Sequence, residues 1–164
     1  MRILMGEEQE QARSEARSRI MRGVRQKNTK PELRVRSLLH AMGYRFRLHR
    51  RDLPGQPDIV LPRHQAIVMV HGCFWHQHAG CPYTNVPRSR TDYWLPKLGR
   101  TVTRDAAALS SLGKLGWRVL VVWECETLDL AILRHRLSQF LPKPVTLPGP
   151  SPSPPAPITI LSVS

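Results

Sequence analysis

The hydrophobic positions of the chain alternate between a helical period and short strand-like runs, which predicts a mixed fold. The first helical period places apolar residues at i, i+3, i+4 and i+7: Val35, Leu38, Leu39 and Met42. The residues before it form a capping box, with Thr29 at the N-cap, Pro31 in the first turn and Glu32 at N3. We expect this helix to end at Gly43.

Four segments have the composition of β-strands. Residues 44–49 alternate apolar residues with Arg, as a half-exposed strand does, and a turn over residues 53–57 leads to a returning strand at residues 58–61. The continuously apolar residues 66–70 predict a central strand that is covered on both faces. A second such run spans residues 117–123.

Two further helices complete the pattern, one within residues 92–115, with Leu109 and Leu112 facing inward, and one over residues 128–140. A basic helix is also expected at residues 11–22. The order that follows is α-β-β-β-α-β-α. An antiparallel meander and a helical crossover then predict an α/β (α+β) fold with a mixed sheet flanked by helices.

The length of 164 residues fits a single domain with its own core. We expect a flexible N-terminus over residues 1–12, a domain over residues 13–141 and a disordered tail rich in Pro and Ser over residues 142–164. Eight of the fifteen prolines lie between Pro142 and Pro157, in a segment with too little apolar surface to form a core.

Positive charge dominates the chain, with 25 Lys and Arg against 12 Asp and Glu and a net charge of +13. Thirteen of the basic residues lie between Arg13 and Arg51, where the only acids are Glu15 and Glu32. This density indicates a polyanionic partner, of which nucleic acid is the commonest, although a solvated basic face is the alternative.

Several protein classes are disfavoured by the sequence. Glu7 and Glu8 interrupt the short apolar start, so we expect no signal peptide, and no run approaches the ~20 apolar residues of a membrane span. We therefore expect a cytoplasmic protein. Three cysteines argue against a disulfide framework and leave metal binding or reduced thiols.

Residues 71–81 combine three of the seven histidines with two of the three cysteines. Cys73, His78 and Cys81 have C-x4-H-x2-C spacing, and Cys125 after the last strand offers a fourth ligand. Three thiolates and one imidazole make a closed tetrahedral shell, which is typical of structural zinc. The alternative is a set of buried cysteines without a metal.

Two histidines of this segment, His71 and His76, remain outside that shell. Asp58 could lie beside His71 in a tight sheet, where a carboxylate can bind Mg²⁺ and a nearby imidazole can accept a proton from water. Such a group would form a phosphodiesterase site. In the alternative reading Asp58 is a turn residue, Glu32 is only a helix cap and Asp105 is a solvated charge.

These residues together resemble the very short patch repair (Vsr) DNA mismatch endonucleases. The resemblance covers roughly residues 16–140, and its most specific strings are HGCFWH at residues 71–76 and WEC at residues 123–125. It implies a restriction-endonuclease-like core and Mg²⁺-dependent nicking of one strand, 5′ to the thymine of a T·G mismatch. Such mismatches arise when 5-methylcytosine deaminates.

The resemblance also implies roles for individual residues. Asp58 and Val70 would bind Mg²⁺, His76 would be the general base and His71 would support the phosphate or a water. Asp105 and Glu32 match acidic positions around the same site. The structural zinc ligands would be Cys73, His78, Cys81 and Cys125. Val70 stands where Thr is frequent in the family. This change leaves a main-chain contact to the metal unaffected, whereas a contact that needs the Thr hydroxyl would be lost and the affinity for Mg²⁺ would fall.

Four residues match positions that intercalate in the family. Phe74, Trp75 and Trp94 would insert beside the mismatch, and Met21 would insert from the opposite groove. Wedges of this kind cost a few kcal/mol per unstacked step, and less at a mismatched step, so they contribute selectivity.

The implied partner is double-stranded DNA with a T·G mismatch, bound by a monomer that cooperates with general mismatch-repair proteins. Two alternatives stay open: a non-catalytic, zinc-stabilised DNA-binding module, and a restriction-like nuclease of other specificity. The presence of both Asp58 and His76 favours an enzyme over the first alternative.

Overall fold

Residues 27–142 are described by the structure, a computed structural model, and within them the predicted order of elements is confirmed. The proposed basic helix at residues 11–22, Met21 and the Pro-rich tail from residue 143 lie outside these described residues. The helices are α1 (Lys30–Ala41), α2 (Thr91–Lys114) and α3 (Leu130–Phe140). The strands are β1 (Arg47–Leu48), β2 (Ile59–Leu61), β3 (Ala66–His71) and β4 (Arg118–Trp123).

Helix α1 begins and ends as its sequence predicts. The hydroxyl oxygen of Thr29 accepts from the Glu32 N–H at 3.4 Å, and the Thr29 hydroxyl donates to the Glu32 carboxylate at 3.1 Å. That carboxylate also accepts from the backbone N–H of Asn28 at 3.0 Å, so it satisfies a donor one residue before the N-cap. Gly43 follows the helix with a φ of 87°, which glycine adopts without strain.

The four strands form one mixed sheet in the order β1-β2-β3-β4. The first three pair antiparallel, and β4 joins β3 in parallel through the α2 crossover. The prediction of residues 44–49 as a strand was too long, because only Arg47 and Leu48 pair with β2 and His49 turns out of the strand at a φ of 46°. Strand β2 likewise begins at Ile59, one residue after Asp58.

Alternate residues of β2 and β3 point into two separate apolar layers. Helices α1 and α3 cover one face, where Leu39 and Leu137 pack with Ile59. Helix α2 covers the other face through Leu112, which packs with Val60 and others and confirms its predicted inward orientation. This arrangement of layers sets α2 beside the carboxyl ends of β3 and β4.

The start of the last helix differs from the prediction of residues 128–140. Asp129 is the N-cap of α3, since its carboxylate accepts from the N–H groups of Ala131 and Ile132, and the helix begins at Leu130. A 3₁₀ turn over Glu124–Leu128 precedes it. Among residues 27–142, no helix is long and apolar enough to cross a membrane.

Candidate active site and metal centre

The carboxyl ends of β3 and β4 meet at one edge of the sheet. His71 and Trp123 are register partners there, so the segments that follow them start side by side. The segment after β3 contains His76 and three candidate zinc ligands, and the segment after β4 contains Cys125. Parallel pairing thus brings together residues that are about fifty positions apart in the chain.

A histidine pair and a carboxylate form the first group at this edge. The rings of His71 and His76 stack with their centroids 3.9 Å apart and their planes within 12°. The Nδ1 atom of His76 lies 2.5 Å from Oδ2 of Asp105, which α2 contributes. Asp105 is therefore not a solvated charge, and the crossover helix is part of the candidate site.

The contact with Asp105 determines how His76 can act. An ionised carboxylate only accepts hydrogen bonds, so Nδ1 of His76 is the donor and Nε2 of the neutral ring is left with a free lone pair. Burial, followed by the proximity of His76, lowers the pKa of His71 to about 4. His71 is consequently neutral near pH 7 and can donate one hydrogen bond without adding charge.

Asp58 is connected by one hydrogen bond to the end of β3, the strand that ends at His71. Its Oδ2 accepts from the backbone N–H of Val70 at 2.8 Å, and Val70 directly precedes His71. Burial raises the pKa of Asp58 to about 6; the Val70 hydrogen bond opposes this rise and the charge of Glu32 adds to it. A cation beside this carboxylate would offset the cost of its partial desolvation, as expected of a metal ligand.

Asp58 also belongs to a second group that the sequence did not reveal. The carboxylate oxygens of Asp58 and Glu32 and a ring nitrogen of His49 all lie within 4.8 Å of one another. The N–H of His49 donates to the Asp58 carbonyl at 3.2 Å, which fixes the two residues opposite each other. The sequence could have indicated His49, because His49 ends the predicted strand over residues 44–49 that faces Asp58.

Arg36 links the members of this second group. Its Nη2 donates to Glu32 at 2.6 Å and lies 2.9 Å from Nε2 of His49, while Nη1 donates to the Asn28 side chain at 2.6 Å. Because guanidinium only donates, Nε2 of His49 is the acceptor. Glu32 is 3% exposed, so it is a buried, ion-paired carboxylate as well as the acid of the capping box.

The four predicted zinc ligands converge on one point. Their ligand atoms all lie within 4.8 Å of one another, with Nδ1 of His78 3.4 Å from Sγ of Cys125 and 3.7 Å from Sγ of Cys73. Tetrahedral zinc with ordinary bond lengths would hold sulfur and nitrogen about 3.6 Å apart, so this donor set fits the ion. The backbone N–H of Cys81 bonds to the His78 carbonyl, which closes the loop on itself.

The predicted intercalating aromatics form one partly exposed cluster. Phe74 packs edge-on against Trp75 and Trp94, with centroids 5.0 Å and 5.5 Å apart. Tyr93 extends the cluster, and Lys97 Nζ lies 5.2–5.6 Å from the rings of Trp75, Tyr93 and Trp94. Tyr93 and Lys97 were missed as members of this cluster, although both lie on α2 within three residues of Trp94.

An imidazole oriented by a carboxylate, with a partly buried acid just before β2 of the same sheet, is an arrangement that can activate water for hydrolysis. Comparison with known proteins identifies the class of this protein. The family model described as "DNA mismatch endonuclease Vsr" matches residues 10–81. The chain is 54% identical over 127 residues to the type II nicking enzyme V.XorIIP of Xanthomonas oryzae pv. oryzae, covering 77% of this chain and 93% of that protein.

Two further relatives agree with this assignment. The DNA mismatch endonuclease Vsr of Escherichia coli K12 is 42% identical over 130 residues, covering 76% of this chain and 83% of that protein. The type II nicking enzyme V.NmeAIP of Neisseria meningitidis is 42% identical over 125 residues, covering 76% and 89%. The chain belongs to the Vsr DNA mismatch endonuclease family and is a DNA endonuclease. The family resemblance seen in the sequence is confirmed.

Proposed function

We propose that this endonuclease nicks one strand of duplex DNA 5′ to the thymine of a T·G mismatch, using Mg²⁺. The observation on which this depends is the hydrogen bond between His76 and Asp105. The acid Asp58 is connected to the same strand end, because it accepts from the backbone N–H of Val70, the residue before His71. Family membership supports mismatched DNA as the substrate, and the net charge of +13 supports binding to a polyanion.

The residues of the site have complementary roles in this reaction. Nε2 of His76 accepts the proton of the attacking water, because Asp105 holds the proton on Nδ1. Neutral His71 supports the phosphate. Asp58 and the main chain at Val70 would hold Mg²⁺, which would polarise the phosphoryl oxygen and stabilise the leaving oxygen. Glu32 assists Asp58 as a second acid, because their carboxylate oxygens lie within 4.8 Å of each other.

Mismatch selection is assigned to the aromatic cluster. Phe74, Trp75 and Trp94 are partly exposed and pack against one another, so they can enter the duplex as one rigid wedge. A T·G step stacks and pairs less strongly than a matched step, so less free energy is lost when the wedge separates it. Met21, outside the described residues, is proposed to insert from the opposite groove.

A structural zinc ion is proposed for the remaining group. Cys73, His78, Cys81 and Cys125 supply four ligands and leave no open coordination position, so the ion would stabilise the wedge loop and take no part in hydrolysis. Its binding would fasten the loop after β3 to the turn after β4.

A strand-specific nicking assay tests the proposal. Duplexes labelled on either strand, with T·G or T·A at the centre and randomised flanks, are incubated with the full chain and Mg²⁺. We expect one product, cut 5′ to the mismatched thymine. Equal cutting of T·A duplex or of four-way junctions would contradict the mismatch specificity.

Matched acid variants test the catalytic assignment in the same assay. Asp58→Asn removes the carboxylate beside Val70 and should abolish nicking while leaving binding of the T·G duplex largely intact. Asp52→Asn removes an exposed acid paired with Arg50 in the same loop and should leave the rate unchanged. Unchanged nicking by Asp58→Asn would exclude Asp58 from the site.

A further inference from the structure

Trp123 is the last residue of β4, and its ring lies between the Cys/His centre and the catalytic histidines. One contact is with His78, whose ring is parallel to the indole within 7° at a centroid distance of 4.2 Å. The other is with His71, whose ring meets the indole edge to face at 5.5 Å. A continuous series of ring contacts therefore joins a candidate zinc ligand to a catalytic residue.

The series continues into the hydrolytic group. His71 stacks on His76 at 3.9 Å, and His76 bonds to Asp105. At the other end, Nδ1 of His78 lies among the sulfur atoms of the Cys/His centre. Every link is a direct contact between rigid planar groups, so a change in the position of one ring displaces the next.

Strand pairing fixes the backbone position from which the Trp123 side chain extends. Trp123 is the register partner of His71 in the parallel pair, and the backbone N–H of Trp123 donates to Glu126 Oε2 at 2.8 Å. Trp117, just before the other end of β4, packs instead against an apolar cluster on the α2 face of the sheet. Trp123 thus differs from an ordinary core tryptophan, because its ring neighbours are functional imidazoles.

We propose that Trp123 is a positioning residue for strand cleavage, and that its ring transmits the placement of His78 in the Cys/His centre to His71 and His76. The proposal rests on the hydrolytic role assigned to His76 above. Loss of the indole would leave His71 free to tilt, and displacements of about 1 Å at a catalytic group can cost about 100-fold in rate.

Substitution of Trp123, and of Trp117 just before β4, tests this role. Single-turnover nicking is measured with protein in excess, together with the Kd for the duplex and the zinc released by denaturation. We expect Trp123→Leu to lower the cleavage rate about 10- to 100-fold, with the Kd within about threefold and zinc retained. Trp123→Phe keeps a stacking surface and should recover much of the rate.

Trp117→Leu is the matched control, because it removes a partly buried indole from the residue that precedes the opposite end of β4. Assayed well below its melting temperature, it should nick within about twofold of the wild-type rate. A Trp123→Leu rate equal to that of wild type would overturn the proposal. The proposal would also be overturned if the cleavage rate of Trp123→Leu fell only in proportion to its zinc content.

A double-mutant cycle tests the direction of coupling. His78→Cys would keep four zinc ligands while removing the ring that stacks on Trp123. If Trp123 transmits the position of His78, adding Trp123→Leu to His78→Cys should lower the rate by less than about twofold further. If the fold-losses in rate of the two single variants multiplied in the double variant, the two residues would act independently, which would contradict the proposal.

Histidine NMR supplies a readout that needs no substrate. Imidazole ¹⁵N signals of His76 should shift in Trp123→Leu and stay in place in Trp117→Leu. Unchanged His76 signals in Trp123→Leu would refute the coupling even if wild-type protein nicked T·G duplex as expected. If wild-type protein failed to nick T·G duplex, shifted signals would still support the coupling, so the two proposals fail separately.

Discussion

At the scale of single residues, the strongest constraint on chemistry is the bond between Asp105 and His76. Asp105→Asn replaces a pure acceptor by an amide whose NH₂ can donate to Nδ1, which would move the imidazole proton to Nε2. We predict that this substitution lowers the single-turnover nicking rate about 100-fold or more. The Kd for the duplex should stay close to the wild-type value.

Asp105→Glu and Asp92→Asn complete the test of this assignment. The longer acid keeps the acceptor and should restore part of the rate, whereas Asp92 is an exposed acid near the start of the same helix and should not affect it. Wild-type cleavage by Asp105→Asn would mean that His76 needs no orienting carboxylate.

Arg36 and Glu32 form an ion pair in which the guanidinium and the carboxylate are both buried. Removing one partner of a buried ion pair leaves an uncompensated charge, so we predict that Arg36→Met lowers the free energy of unfolding by about 3–5 kcal/mol. Urea denaturation measures this loss. The double variant Glu32→Gln with Arg36→Met should recover part of it.

Arg50→Met is the exposed counterpart, since Arg50 pairs with Asp52 at the protein surface. Exposed ion pairs contribute little, so Arg50→Met should lower the free energy of unfolding far less than Arg36→Met does. Equal losses for Arg36→Met and Arg50→Met would show that burial does not determine the contribution of the Glu32 pair.

At the scale of elements, the turn over residues 53–57 fixes the distance between the sheet and α2. Gly55 has a φ of +73°, and a Cβ built there would lie 2.7 Å from Cβ of Ala108 on α2. Gly55→Ala therefore combines a strained backbone with a steric clash, and we predict a loss of about 2 kcal/mol or more in urea denaturation. Because α2 also contributes Asp105, the nicking rate should fall as well.

Gly99→Ala is the control within α2, because nothing lies within 4 Å of a Cβ at this helical position. Alanine is the better helix former, so stability should rise by up to about 1 kcal/mol. Destabilisation by Gly99→Ala, or tolerance of Gly55→Ala, would contradict the packing of α2 described above.

The Cys/His centre joins two elements, the loop after β3 and the turn after β4. Cys125→Ser weakens the one ligand that comes from the β4 side, so we predict loss of tightly bound zinc and a Tm lower by roughly 10 °C or more. Calorimetry and a colorimetric zinc assay measure the two effects. Unchanged melting after verified zinc removal would exclude Cys125 from the ligand set.

At the scale of the whole molecule, the sequence predicted what depends on local patterns and missed what depends on tertiary contacts. The order of elements followed from apolar periodicity, and the α1 boundaries followed from Thr29, Glu32 and Gly43. The convergence of the Cys/His group was predictable because three of its four members lie within nine residues of the sequence. Arg36 and His49 were missed because only sheet pairing and the packing of α1 bring them to Asp58.

The distribution of charge over the whole chain governs how DNA binding responds to salt. Each basic residue that contacts a phosphate releases a counterion, so log K falls linearly with log salt concentration. With a net charge of +13, we predict at least about 100-fold weaker binding at 200 mM than at 50 mM salt, which corresponds to about four phosphate contacts. Fluorescence anisotropy with a T·G duplex measures this dependence.

Two exposed cations at different places on the fold sharpen this prediction. Arg47 lies on β1, two residues before the His49 that faces Asp58, whereas Lys114 is the last residue of α2. Arg47→Gln should reduce the salt slope by about 0.9, the effect of one lost phosphate contact, and Lys114→Gln should leave it unchanged. If the two substitutions changed the salt slope equally, binding would depend on net charge alone. Arg47, near the candidate active site, would then contribute no more to binding of the DNA backbone than Lys114 does.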